Sequence, residues 1–199
     1  LADLEAADDL GYIVKLLGVA VRTDQGIEQR VHPTMVPKNW PLAQVSGVTN
    51  AVAIDADAVD LTLVGPGAGG DATASAVVAD LTDIARGARG SAFGIPVELL
   101  KPAERAPMQR HEGGYYIRLA VLNRPGTAAI IAGRMADQHI SLESIVQRRP
   151  DGAGAETETA NVILITYATT EEAVRRAIAA IEAEGVVASL PQVIRIEKD

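Results

Sequence analysis

Tyr115-Tyr-Ile-Arg-Leu-Ala-Val-Leu-Asn-Arg-Pro-Gly126, running straight into Thr127-Ala-Ala-Ile-Ile-Ala-Gly-Arg-Met-Ala136, is the stretch that decides the fold. Tyr115 to Asn123 alternates, which puts Ile117, Leu119 and Val121 on one face of a strand. Thr127 to His139 then repeats apolar residues at helical spacing, with Ala128, Ile131, Ala132 and Met135 turned inward. Leu142 to Arg148 reads as a second strand, and Asp151-Gly152-Ala-Gly154 with the acidic residues after it as a mobile loop. Thr159 to Ala168 is a third strand, Val162 and Leu164 facing one side and Ile163 and Ile165 the other. Thr170 to Glu184 is an amphipathic helix buried at Ala173, Val174, Ala177, Ile178 and Ile181; Gly185 stops it, and Val193 to Glu197 closes as a strand. The order βαββαβ over about 85 residues describes a split-βαβ, ferredoxin-like unit, both helices on one face of a four-stranded sheet.

Upstream the texture differs. Ala2 to Leu10 reads as a helix that opens the chain, so an upstream partner is expected before Leu1. Tyr12 to Val21 is rich in branched residues and reads as a buried strand; Asp24-Gln25-Gly26 turns it into a return strand, Ile27 to His32, ending before Pro33. Ala51 to Ile54 and Asp60 to Val64 are two further short strands. Gly65-Pro-Gly-Ala-Gly-Gly70 follows, with Asp71 as N-cap of a helix carrying Ala74, Val77, Val78, Leu81, Ile84 and Ala85 at helical spacing and packed on those strands. Breakers crowd residues 87–113 (Gly87, Gly90, Gly94, Pro96, Pro102, Pro107, Gly113), which marks a linker. The fold class is therefore α+β: a partial mixed sheet with a packed helix, then the βαββαβ unit.

Composition narrows the function. In 199 residues, 48% are hydrophobic, 22% are charged and none is cysteine, which describes a globular chain and excludes a disulfide scaffold. No apolar run reaches the roughly 18 residues of a membrane helix, and the lack of a signal peptide and of cysteine fits the cytoplasm. The net charge of −8 argues against binding nucleic acid through phosphates. Residues 1–100 hold 6 basic and 13 acidic residues and 101–199 hold 12 and 13, a shift that agrees with two units. With His32, His111 and His139 scattered, no H-E-x-x-H and no cysteine, no metal site is expected. Ser46 and Ser91 lack the G-x-S-x-G elbow of serine hydrolases. The glycine run spells G-x-G-x-x-G, but no strand follows its helix and no acidic residue opens a second βαβ, so it is not a dinucleotide fingerprint.

Asp9-Leu-Gly-Tyr-Ile-Val-Lys-Leu-Leu-Gly18, Val31-His-Pro-Thr-Met-Val-Pro37, Val45-Ser-Gly-Val-Thr-Asn-Ala51, and Gly65-Pro-Gly-Ala-Gly69 with Thr73-Ala-Ser-Ala-Val-Val-Ala-Asp-Leu81 together resemble homoserine dehydrogenase, in that family's order and spacing. The second half, with Asn123-Arg-Pro-Gly126 between strand and helix, is similar to an ACT domain, a small-molecule regulatory module. The resemblance covers the C-terminal part of the family only. It implies residues 1–90 as the end of a catalytic and dimerisation domain, 91–113 as linker and 114–199 as a regulatory ACT domain. It further implies a nicotinamide-dependent interconversion of L-homoserine and L-aspartate 4-semialdehyde, in threonine and methionine biosynthesis. The nucleotide-binding domain and the family's catalytic lysine are expected upstream. Lys15 lies inside a strand and does not match that lysine's motif, so no catalytic residue is assigned, and the chain alone is expected to be inactive and to hold no NAD(P).

What the resemblance implies for individual residues is limited. The glycine turn would approach the nicotinamide of a cofactor held by the missing domain, through Gly69, with Gly67 and Thr73 behind it; a glycine lets backbone come close to a ligand. A plain strand-to-helix turn is the competing reading. In the ACT unit, Asn123, Gly126 and Thr127 would receive an amino-acid effector, threonine as the pathway's product, at the start of a helix whose N–H groups favour a carboxylate. Gln147 would reach such an effector across an interface. Many ACT sequences carry aspartate where Asn123 stands. Open sheet edges, and the side-by-side pairing of ACT units, imply a homodimer or larger assembly. Two other readings stay open: a ligand-free oligomerisation module, and a stand-alone amino-acid sensor.

Overall fold

The computed structural model describes residues 2–91, 93–106, 112–148 and 159–197. In chain order the elements are α1 (Ala2–Asp9), β1 (Tyr12–Thr23), β2 (Gly26–Pro37), a 3-10 turn at Pro41–Gln44, β3 (Thr49–Ile54), β4 (Leu61–Pro66) and α2 (Gly70–Ala85). A second 3-10 turn at Val97–Leu99 precedes β5 (Glu112–Leu122), α3 (Thr127–Asp137), β6 (Leu142–Arg148), β7 (Thr159–Thr166), β8 (Thr169–Thr170), α4 (Glu171–Ala183) and β9 (Gln192–Ile196). The fold is mixed α+β. Among the described residues no helix is long and apolar enough to cross a membrane.

The chain divides into two compact units: one comprises the residues up to Pro37 together with those from Arg105, within the expected linker, onward; the other is Lys38–Glu104. The reason is a long-range pairing. In the larger unit the strands lie in the order β1-β2-β9-β5-β7-β6, with β8 paired to the start of β5. β5 runs antiparallel to both β7 and β9, and β6 antiparallel to β7. The β1–β2 hairpin joins this sheet through a short parallel contact with β9, Thr34 opposite Arg195 and Met35 opposite Ile196, and Glu197 N–H donates to Met35 O at 2.9 Å. Local patterning shows a hairpin but not which strand receives it. The return strand also continues through Pro33 to Pro37, beyond the expected stop at His32. Met35 uses its outer edge toward β9, so Pro33, two residues earlier, would present its absent N–H on that same edge. The contact with β9 therefore stops at Thr34, while β1 still pairs along the whole of β2.

Alternation within β5 and β7 divides the sheet into two cores. On one face Ile117, Leu119, Val121, Val162 and Leu164 meet Ile131 and Met135 of α3 and Ala173, Val174, Ala177 and Ile181 of α4. The helical inward positions are those the spacing predicts, except that Ala128 is exposed. On the other face Tyr116, Ile163, Ile165, Ile194 and Ile196 are covered by Ala6 and Ala7 of α1. Each Val, Leu, Ile or Met side chain among these that is removed from water contributes roughly 1.5–3 kcal/mol. α1 is pinned by Asp3, which accepts from Arg118 Nε at 2.6 Å and from the Tyr116 hydroxyl at 2.9 Å. α4 starts at Thr170, whose hydroxyl oxygen accepts from Ala173 N–H at 3.2 Å, and Glu171 and Glu172 occupy its first turn. Two residues past the end of α3, His139 takes the left-handed φ of 57° usually left to glycine and turns the chain away.

The smaller unit holds the antiparallel pair β3–β4 and helix α2. Here one expectation fails. α2 buries none of its residues, and Val77, Val78, Leu81 and Ile84 are all exposed, so the helix is not packed on those strands.

Candidate functional site

Two turns carry the sequence-predicted residues. In the smaller unit β4 leads through Gly67 and Gly69 into α2. Gly67 donates its N–H to Val48 O at 2.8 Å, and a Cβ on it would fall 1.4 Å from Asn50 Nδ2. Its lack of a side chain is thus already accounted for by Asn50. Gly69 is different: it is the N-cap of α2 at φ 117° and ψ 150°, and a Cβ built on it would meet nothing. It therefore needs glycine for its backbone angle, and open space lies beside it. Thr73 holds the Gly69 carbonyl twice, by its N–H at 3.1 Å and its hydroxyl at 3.0 Å. Asp71, expected as the N-cap, is instead inside the first turn of α2, and no side chain caps this helix.

The second turn lies between β5 and α3. Gly126 is the N-cap in left-handed backbone, φ 91°, and again no side chain caps the helix. Thr127 is buried and its hydroxyl donates to Leu122 O at 3.0 Å, which fastens the turn to the end of β5. Asn123 is exposed. Gln147 is exposed on β6 and stands level with Leu119, because both pair with Val162. Asn123 lies four residues beyond Leu119, so it is about 13 Å farther along and two strands, about 10 Å, across from Gln147. Asn123, Gly126 and Thr127 form one locality; Gln147 does not join it within a single chain. His111 and the acidic loop of residues 151–158 lie outside the described residues.

A third place was missed by sequence reasoning. Because β2 and β9 pair only at Thr34 and Met35, they part beyond that point, and a cleft of about 740 Å³ opens there in the larger unit. His32 and Pro33 of β2, Tyr115 of β5, Glu171, Val174, Arg175 and Ile178 of α4, and Arg195 of β9 line it, among others. The face of β2 that continues this wall is polar and buried: Glu28 and Arg30 pair at 2.6 Å, Arg30 also reaches Glu197 Oε1 at 3.0 Å, and Thr34 is fully buried. Glu171 accepts from both Arg195 and Arg175, the latter at 3.1 Å. Three buried polar atoms here have no hydrogen-bond partner: Arg195 Nη1, the Tyr115 hydroxyl and His32 Nε2. Burial pushes the Tyr115 phenol up to about 12. Burial first, and then the Arg195 charge, hold the His32 imidazole below its ordinary value and favour its neutral form. The Thr34 hydroxyl donates to His32 O, so its oxygen accepts from His32 Nδ1–H at 3.2 Å and leaves Nε2 as an acceptor. The signal for this site is Glu28-x-Arg30-x-His32-x-Thr34, polar residues at every second position of a strand whose face is buried.

Comparison with known proteins fixes the family. The homoserine dehydrogenase family model matches residues 1–82. Homoserine dehydrogenase of Neisseria gonorrhoeae is 42% identical over 202 residues, covering 98% of this chain and 46% of the relative. That of Pseudomonas aeruginosa is 40% identical over 205 residues, covering 99% and 46%. The solved homoserine dehydrogenase of Thiobacillus denitrificans superposes with a TM-score of 0.85 at 40% identity, over 99% of this chain and 45% of that one. A Staphylococcus aureus homoserine dehydrogenase shares the fold alone, with a TM-score of 0.62 at 23% identity and coverage of 99% and 45%. The chain thus spans about half the length of the relatives it matches. It belongs to the homoserine dehydrogenase family and corresponds to the C-terminal portion of that enzyme.

Proposed function

We propose that this chain serves an NAD(P)-dependent homoserine dehydrogenase, interconverting L-homoserine and L-aspartate 4-semialdehyde in the threonine and methionine pathway of the cytoplasm. The observation that carries this is identity of 40% or more to enzymes of that name across nearly the whole chain. Bound nicotinamide supplies hydride exchange with the carbinol carbon. The residues present fit an approach to it at one point: Gly69 offers backbone with open space beside its Cα. Thr73 fixes the Gly69 carbonyl, and Gly67 with Asn50 sets the shape of the turn. The chain spans about half the length of these relatives, and in this reading the nucleotide-binding domain and the catalytic lysine belong to the other half, so the 199 residues alone should not turn over substrate. The test is to assay the chain alone with homoserine and NAD+ or NADP+, and again fused behind the preceding half of the P. aeruginosa enzyme. Activity only in the fusion is the expected result; turnover by the chain alone overturns the division of labour.

Residues 114–199, within the larger unit, serve as a regulatory, ACT-like domain in this reading. Its βαββαβ succession with strands in the order β9-β5-β7-β6, and both helices on one face, support that. An amino-acid effector, with threonine first in line, would set its carboxylate on the uncapped first turn of α3 beside Gly126 and Thr127, with Asn123 accepting from its ammonium. Gln147 would act from a second copy in a homodimer or larger assembly. Calorimetry with threonine on the wild type and on Asn123→Ala tests this: binding lost in the variant agrees, and no heat in the wild type overturns it. The neutral Asn123 amide, where many ACT sequences carry aspartate, and the small Thr127-Ala128-Ala129 after Gly126 favour a second reading, an oligomerisation module whose turn binds nothing.

A further inference from the structure

The cleft where β2 and β9 part has no task in the function proposed above. We propose that it binds a small aliphatic α-hydroxy or α-amino carboxylate. The carboxylate would rest on Arg195 Nη1 and the Tyr115 hydroxyl, the adjacent donor on His32 Nε2, and the aliphatic part on Val174 and Ile178.

The three polar groups share one wall by register. Tyr115 pairs with Arg195, Arg195 pairs with Thr34, and His32 lies two residues before Thr34, so all three point to the same face of the sheet. Arg195 and Tyr115 are more than nine-tenths buried, at 7% and 1% exposure, and each keeps an atom without a partner. A native structure seldom leaves such atoms unmet, and three beside one cleft call for one explanation. Their roles are complementary. Arg195 Nη1 and the phenol can donate, while His32 Nε2 accepts, its other nitrogen being committed to Thr34. Two donors beside one acceptor match a carboxylate with a hydroxyl or ammonium on the next carbon.

Charge and size agree. Arg195 and Arg175 share the single carboxylate of Glu171, while farther along the same face Arg30 is shared by Glu28 and Glu197, so the wall as a whole is neutral and its positive end is at Arg195 and Arg175. An incoming carboxylate would meet that positive end. A volume of about 740 Å³ accommodates a molecule of this class, and the flank of α4 supplies the apolar surface.

The test titrates the 199-residue chain, followed by heteronuclear NMR, with L-valine, 2-hydroxyisovalerate and isovalerate, which share a carbon skeleton. Saturable binding of at least one of the first two is expected, and isovalerate, lacking the donor, should bind about two- to tenfold more weakly. Whichever of L-valine and 2-hydroxyisovalerate binds more tightly settles which donor the site takes. Tyr115→Phe should weaken binding by a similar factor while leaving the melting temperature unchanged or higher, since the hydroxyl has no partner to lose. Asn123→Ala should leave this binding alone. The inference falls if none of the three saturates, if isovalerate binds as tightly as the other two, or if Tyr115→Phe lowers the melting temperature with affinity intact. If binding is lost in Asn123→Ala and kept in Tyr115→Phe, the ligand sits at the turn before α3, and the regulatory reading stands without this site.

Discussion

The two units use similar residues to opposite effect. Helices α2 and α4 both carry branched apolar side chains at helical spacing, yet α4 buries Ala173, Val174, Ala177 and Ile181 while α2 buries nothing. Among the described residues of Lys38–Glu104, Ala43 is the one buried hydrophobic residue; every other core side chain belongs to the larger unit. Periodicity specifies that a helix has an apolar face. It does not specify that the covering surface is encoded in the same piece of chain.

That contrast predicts its largest difference in hydrogen exchange. Amides of β5 and β7, buried on both faces, should exchange orders of magnitude more slowly than those of α2, whose opening exposes little further surface. Equal protection in the two would break the comparison. Substitution sharpens it: Leu164→Ala, fully buried, should cost about 2–5 kcal/mol by chemical denaturation, while Leu81→Ala, 60% exposed, should stay within about 0.5 kcal/mol. Next comes capping. Thr170→Ala removes the hydroxyl that receives Ala173 N–H and should destabilise the larger unit by about 1 kcal/mol. α2, with no side-chain cap, has no equivalent loss to suffer. The smallest effect is a pH dependence. The hydrogen bond from Arg118, opposed in part by burial, holds the Asp3 carboxyl below its ordinary value of 3.8. A lowered folded value means this stability is present above the unfolded pKa and is lost as pH falls through the folded one. Asp3→Asn should therefore lower the melting temperature at pH 7, and the gap to wild type should close in acid.

The sequence told apart what is local from what is not. Alternation in Tyr115–Val121 and in Asn161–Ile165 assigned each side chain to its face, because a strand packed on both sides leaves no freedom of register. Spacing in α4 named its inward residues because its apolar side chains form one stripe, opposite the exposed Arg175 and Arg176. The place of the β1–β2 hairpin was not legible, since its partner is β9, some 160 residues away, through a contact two residues long. At the candidate sites the turns were visible as Gly69 and Gly126, whose backbone angles require glycine. The cleft was hidden: Arg195 sits in an ordinary alternating strand, and only the folded sheet brings it beside Tyr115 and His32. Asp71 misled because its type suits a cap, while the left-handed geometry at Gly69 starts the helix before it.

Strand β9 lies between β2 and β5 in the sheet, although some 160 residues of chain separate its residues from their partners in β2. Without Gln192–Ile196 the β1–β2 hairpin would have no strand of this sheet to pair with, and α1, held through Asp3 to Arg118 and Tyr116, would be left as the tie between the two segments. A strand of five residues thus carries the pairing that closes the longest loop of the unit.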